Sequence, residues 1–257
     1  MNDDALLRYS RQIMLPELDV AGQERLLAAS VLVTGLGGLG SPTALYLAAA
    51  GIGRLLLTDD DQVDVSNLQR QILHGEADIG RAKTESAVDR IHALDPRTRC
   101  ETFPERLDAD ALAGLVARST VVVDATDNLA TRYMLNRACL DARVPLVSAA
   151  AIRFEAQLST FDPRRDDSPC YRCLWPEETD EALNCAENGV IAPLVGVVGS
   201  LQALEVVKLV TGIGEPLVGR VLAYDALGTR FDSFRLKRRP DCPDCQGRTG
   251  VPDSTDS

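Results

Sequence analysis

No run of 18 or more purely apolar residues occurs in this sequence, so no membrane span is expected. Positive charge is also in short supply. Against 38 Asp and Glu stand 27 Lys and Arg, giving a net charge of −11. That balance argues against a nucleic-acid or acidic-membrane partner, which needs a basic patch. Histidine is scarce, with only His74 and His92. The first residues, Met1-Asn-Asp-Asp-Ala5, put acids where a signal peptide has a basic segment. Residence in the reducing cytoplasm is expected, and there seven cysteines do not read as a disulfide framework. Internal repeats and low-complexity blocks are missing too.

What is present suits one large α/β domain. The chain has 257 residues and is 45% apolar, enough for a substantial core. The spacing predicts a single domain over 1–246, with N-terminal helices over 1–30, a polar crossover region over 168–192 and a disordered polar tail over 247–257. Val31-Leu-Val-Thr34 reads as a buried strand running into Gly35-Leu-Gly-Gly-Leu-Gly40, then a small-residue helix over Ser41–Ala50. Gly35, Gly37 and Gly40 match G-x-G-x-x-G, which lets backbone approach a phosphate at a helix N-terminus. Arg54–Asp59 is a second strand, an apolar run ending in an acid at the place where one commonly meets a ribose hydroxyl. The opening unit is therefore a nucleotide-binding βαβ, for which, taken alone, NAD is the default expectation.

Residues 59–71 form a long polar loop at the carboxyl end of the second strand, where ligands of open α/β sheets bind. Lys83 opens a helix over Thr84–Leu94, at the end where the helix dipole disfavours a cation. It either serves an anion or is simply solvated. A strand over 98–103 and a helix over Ala109–Ala117 precede a further strand, Thr120–Val123, which ends in Asp124, Asp127 and Asn128. Asp127 or Asn128 could cap the next helix, Ala130–Ala142. Val144–Ala150 is another strand, and the alternation implies a Rossmann-like, doubly wound, mainly parallel sheet. Glu155–Phe161 alternates like a half-exposed strand. Pro193–Val210 is an apolar helix buried on most sides, either core or subunit interface. Gly219–Asp225 and Arg230–Leu236 make an antiparallel C-terminal hairpin.

The cysteines divide. Cys170-x-x-Cys173 and Cys242-x-x-Cys245 supply four thiolates, the ligand set of a structural zinc, which would clip two remote segments together. Four thiolates leave no open position, so this metal is not expected to be catalytic. Cys100 and Cys139 fall in strand and helix patterns and read as buried small hydrophobes. Cys185 lies in a polar crossover with no activating cation in view, and reads as inert.

Together these pieces resemble the MoeB/ThiF/HesA family of ubiquitin-activating-type adenylyltransferases. The resemblance rests on Gly35–Gly40, Asp59 and Asp61, Ser66-Asn-Leu-Gln-Arg-Gln71, Lys83, Thr126-Asp-Asn128 and the two cysteine pairs, in that order, and covers residues 8–246. It implies ATP-dependent adenylation of the C-terminal Gly-Gly carboxylate of a ubiquitin-like sulfur-carrier protein. A separate sulfurtransferase or cysteine desulfurase would later supply the sulfur. The nucleotide set it implies is Gly38, Asp59, Asp61, Ser66, Asn67, Leu68, Gln69, Arg70, Lys83, Asp127 and Asn128. Within that set Asp59 suits the ribose, Asn67, Arg70 and Lys83 the phosphates, and Asp127 a Mg²⁺ ion. Arg11 would reach the nucleotide of the partner subunit, so a homodimer is implied, with Arg11, Arg70, Lys83 and Asp127 as the catalytic group.

Two subgroups share these marks. Ala149–Arg153, Asp162–Arg165, Ser168–Tyr171 and Tyr224–Ala226 look more like the members that activate the small subunit of molybdopterin synthase. Asp59–Asp61 and Cys170–Pro176 look like those that activate the thiazole sulfur carrier. The molybdopterin carrier is the expected one, and one enzyme serving both is the alternative. No sulfurtransferase extension is expected after residue 246. An NAD oxidoreductase would share the first βαβ but would leave Arg70, Lys83 and Asp127 without a task.

Overall fold

The computed structural model describes residues 1–176 and 189–246. The crossover from 177 to 188, with Cys185, and the tail over 247–257 lie outside the described residues. Three helices come first: α1 (Asp3–Arg8), α2 (Ser10–Ile13) and α3 (Asp19–Ala28). Then follow β1 (Ser30–Thr34), α4 (Gly40–Ala50), β2 (Arg54–Thr58), α5 (Lys83–Leu94), β3 (Arg99–Phe103), α6 (Ala109–Ala117), β4 (Val121–Asp124), α7 (Leu129–Ala142) and β5 (Leu146–Ile152). The second half contains β6 (Glu155–Phe161), α8 (Tyr171–Leu174), α9 (Ala192–Thr211), β7 (Arg220–Asp225) and β8 (Arg230–Arg235).

The eight strands form one sheet, ordered β3-β2-β1-β4-β5-β6-β7-β8. The first five pair in parallel and the last three antiparallel. Register places Thr34 opposite Thr58 on one side and Asp124 on the other. The carboxyl ends of β2, β1 and β4 are therefore level, and the chain leaves all three at one edge. Val31, Leu32, Val33, Leu55, Leu56, Leu57 and Val121–Val123 are fully buried, as strands covered on both faces must be. One core joins the sheet to α3, α4, α5 and α9, and the other joins it to α6, α7 and α8.

Three expectations change. β6 alternates as expected only over Glu155–Gln157, since Leu158 through Phe161 are all buried. One face meets α9, where the Thr160 hydroxyl donates to Glu205 at 2.9 Å. The other face turns Phe161 edge-on to Tyr171 of α8. Polar residues at alternate positions were misread as solvent-facing because their partners are distant in sequence. The long helix α9 is less enclosed than its composition suggests, since Val197 and Leu204 are 38% and 47% exposed. Among the described residues only α9 is long and apolar enough to cross a membrane. It packs on α4, β5 and β6, with Gln202 and Glu205 buried and hydrogen-bonded to Asp124 O and Thr160. Those are the features of a core helix. Cys100 is half-buried rather than buried, although burial still pushes its thiol up to about 11.

Candidate active site at the switch of strand order

Strand order reverses between β1 and β4, and such a reversal opens a crevice beyond the carboxyl ends of the strands. A cleft of about 570 Å³ lies there, a volume typical of small-molecule sites. Its floor is the glycine loop. Gly35 has φ +84°, and a Cβ on it would stand 2.7 Å from the Ala125 carbonyl oxygen. A Cβ on Gly40 would stand 1.9 Å from the Gly35 oxygen. Both positions therefore demand glycine, one for its turn and one for close packing. Gly37 and Gly38 line the cleft itself. Behind Gly38 sits Val195 of α9, 3.1 Å from where a Cβ would be. Gln71 lies near Gly37, is only 4% exposed, and its Oε1 has no hydrogen-bond partner among the described residues.

The second wall follows β2. Asp59 accepts the Leu36 N–H at 2.7 Å and the Asp61 N–H at 3.0 Å, so it braces the glycine loop from below. Burial pushes its carboxyl up, while the nearby Lys83 charge and those N–H donors pull it down. A carboxylate offers about four acceptor directions, so one side chain can brace the loop and still meet a ligand hydroxyl. Lys83, the first residue of α5, is 5% exposed rather than solvated. Its ammonium lies 2.7 Å from Asp61 Oδ2 and 3.8 Å from Asp59 Oδ1. The carboxylates of Asp59, Asp60 and Asp61 cluster within 4.8 Å of one another. Asn67, Gln69 and Arg70 line the cleft from the loop above. Arg70 Nη1 donates to the Ser66 carbonyl at 3.0 Å, which ties the arginine to a short 3-10 turn over Val65–Asn67. Ser66 and Leu68 do not line the cleft. The Ser66 hydroxyl donates to Asp64 at 2.6 Å.

The third wall follows β4. Thr126, Asp127 and Asn128 line the cleft. Asp127 is exposed and has no hydrogen-bond or ion-pair partner among the described residues. The Asn128 side chain accepts the Thr131 N–H at 2.9 Å and so caps α7. Arg11 stands exposed on α2 and does not line the cleft of its own chain. Three further residues support or line the cleft, none of them assigned to the site from sequence. Asp124, fully buried, takes hydrogen bonds from Thr126 and Ser148. His74 supports the glycine loop, with Nε2 3.2 Å from the Leu36 oxygen and Nδ1 2.8 Å from Ser86 Oγ. Burial is the main cause that lowers the pKa of its imidazole. Arg132 lines the cleft from α7.

Backbone N–H groups, Lys83 and Arg70 suit a polyanion, and the exposed Asp127 carboxylate lining the same cleft suits a cation bound to it. Asp127 carries the type of hard oxygen ligand that Mg²⁺ takes alongside phosphates and water.

A second constellation lies away from the cleft. The four thiols of Cys170, Cys173, Cys242 and Cys245 fall within 4.8 Å of one another, all buried. Their Sγ separations include 3.5, 3.6 and 3.9 Å. Tetrahedral zinc–thiolate bonds of about 2.3 Å place sulfurs about 3.8 Å apart, so the set fits that ion. Hydrogen bonds from the Cys170 thiol and the Arg239 N–H favour the thiolate form of Cys173.

Residues 9–244 match the ThiF family. The chain is 48% identical over 245 residues to the molybdopterin-synthase adenylyltransferase of Salmonella typhimurium, covering 95% of this chain and 98% of that protein. It is 46% identical to the sulfur carrier protein ThiS adenylyltransferase of Escherichia coli, covering 98% and 100%. Among solved structures it resembles E. coli MccB with ATP, at 26% identity and TM-score 0.81, over 93% of this chain and 74% of that one.

Proposed function

The chain belongs to the ThiF family, and from that membership we propose that it adenylates the C-terminal Gly-Gly carboxylate of a ubiquitin-like sulfur carrier, using ATP. The observation that carries this reading is the gathering of Gly37, Gly38, Asp59, Asn67, Arg70, Lys83 and Asp127 around one cleft. A carrier carboxylate oxygen attacks the α-phosphorus, the bond to the β-phosphate oxygen breaks, and pyrophosphate leaves behind an acyl-adenylate. The attacking carboxylate is already ionised, so no general base is required. Lys83 and Arg70 would hold the polyphosphate and meet the charge that builds on the leaving group, which is the kind of preorganised stabilisation that dominates such steps. Asp59 would fix the ribose, and Asn67 would orient phosphates. Mg²⁺ at Asp127 would neutralise the departing pyrophosphate. Zinc at the four cysteines would serve as a structural clip.

A homodimer fits this reading. Val197 and Leu204 of α9, Tyr46 of α4, and Met14 and Leu15 beside α2 are exposed apolar side chains. Helix α9 packs on α4 and α3, and α2 on α3, so these residues sit on neighbouring elements. Arg11 lies on α2, where a dimer through this side would send it toward the partner's cleft. We place the enzyme in the cytoplasm, with a separate sulfurtransferase or cysteine desulfurase downstream.

The molybdopterin-synthase small subunit is the first candidate carrier. The near-equal identity to the ThiS adenylyltransferase favours a second candidate, the thiazole carrier. Labelled pyrophosphate exchange into ATP with each purified carrier decides between them. Exchange with one or both is expected, and exchange with neither contradicts the reading.

A further inference from the structure

Arg132 sits in the first turn of α7 at 3% exposure, and the reaction above gives it no task. An arginine is buried only where its charge and donors are matched. One terminal nitrogen donates to the carbonyl oxygens of Thr126 and Ala149. Nε lies 3.6 Å from Asp124 Oδ2, and Asp124 in turn holds the N–H and hydroxyl of Thr126. Arg132 thus grips, from both ends, the turn that leads out of β4 to Asp127.

Its other terminal nitrogen donates to the Tyr171 hydroxyl at 3.4 Å. Tyr171 lies inside the first cysteine pair, buried, with its ring edge-on to both Tyr133 and Phe161. The Tyr171 N–H donates to Asn136 Oδ1 at 2.9 Å, four residues along α7 from Arg132. Asn136 Nδ2 donates to Asp244 Oδ2 at 2.8 Å, inside the second cysteine pair. Residues four apart share a helix face, so one face of α7 joins both cysteine pairs to the turn before Asp127.

The geometry points to Arg132 as a positioning residue that couples the four-thiolate clip to the Asp124–Asn128 turn through Tyr171 and Asn136. Asp127 is held toward the cleft while the clip keeps Tyr171 against α7. This rests on the adenylation site proposed above. A planar guanidinium can serve two carbonyls and a hydroxyl at once, whereas the single ammonium of lysine cannot span them.

The chain carries its own reporter. Trp175, the only tryptophan, ends α8, and its carbonyl accepts from the Tyr133 hydroxyl of α7 at 2.9 Å. Its emission therefore reads the α7–α8 contact. We would titrate Mg-ATP into the full chain without carrier, follow Trp175 emission, and measure zinc content and the Mg²⁺ dependence of pyrophosphate exchange. In the wild type, Mg-ATP should shift the emission. Arg132→Lys should keep its zinc, lose that shift and need about tenfold more Mg²⁺ for half-maximal exchange, as expected for residues of one network. Tyr171→Phe keeps the ring packing and should move the same way by about threefold. It decides the matter if Arg132→Lys fails to fold. Arg137→Ala, on the exposed side of α7, should change none of these. Unchanged Mg²⁺ half-saturation in a zinc-loaded Tyr171→Phe, or wild-type emission indifferent to Mg-ATP while exchange proceeds, would overturn the coupling alone. No exchange in the wild type with any carrier would instead overturn the site reading beneath it.

Discussion

Asn128 shows what a single residue can hide. Its resemblance to the family places it against nucleotide, while its side chain is spent on the Thr131 N–H as the cap of α7. Both roles are open to an exposed amide at the rim of the cleft, so stability and catalysis must be measured apart. Replacing a capping Asn with Ala costs about 1 kcal/mol. Asn128→Ala is expected to lower the unfolding free energy by about that amount in urea denaturation, with exchange retained at saturating ATP. Unaltered stability would mean that the cap contributes nothing. Residues of this kind were legible because their type and place after a strand carry a signal. Arg132 and His74 were not legible in their roles, because each acts through partners that only the folded sheet brings near, and for Asp124 the same holds of its bond to Ser148.

At the scale of elements, the parallel strands β1, β2, β4 and β5 were readable because they are largely continuous apolar runs, whereas the edge strand β3 is mixed in composition. The boundaries moved by one or two residues, and α5 began at Lys83 rather than Thr84. β6 was misread because alternation reports polarity, and here the polar positions meet α9 and β7 rather than water. The N-terminal helices are tied to the end of α5 by Asp95, which accepts from Tyr9 at 2.8 Å and from Arg97, with Arg8 3.1 Å away. Burial pushes the Asp95 carboxyl up, but the Arg97 and Tyr9 hydrogen bonds and the Arg8 charge outweigh it and hold it at about 2. A folded-state value below the unfolded one adds stability above the unfolded pKa and loses it as pH falls through the folded value. The stability advantage of the wild type over Asp95→Asn should therefore shrink between about pH 4 and pH 2. A difference that stays constant across that window would contradict the tether. The cysteine clip makes a second prediction at this scale. Cys242→Ser should lose zinc and lower the melting temperature together, read by metal analysis and thermal scans of protein purified without chelator. Full zinc content in the variant, or no zinc in the wild type, would count against the clip.

At the scale of the molecule, the doubly wound order followed from alternating strands and helices, and the position of the site followed from the order. The placement of Arg11 outside its own cleft is a whole-molecule matter. If it works in the partner subunit, mixing Arg11→Ala with Asp127→Ala chains makes hybrid dimers with one intact site each. Exchange activity above the sum of the two variants is expected once subunits have exchanged, and its absence in proven hybrids would place Arg11 elsewhere.

The central claim is that the cleft beyond β1, β2 and β4 forms an acyl-adenylate, with Asp127 supplying the carboxylate for its cation. Removing one preorganised electrostatic group typically costs about 10²–10³ in rate, and removing a metal ligand can cost more. The most direct measurement is carrier-dependent exchange of labelled pyrophosphate into ATP by wild type and Asp127→Ala, with carrier binding followed in parallel. The account predicts brisk exchange in the wild type and a loss of at least about 10²-fold in the variant, with carrier still bound. Near-normal exchange by Asp127→Ala at saturating Mg²⁺ would contradict both the role of Asp127 and the location of the active site.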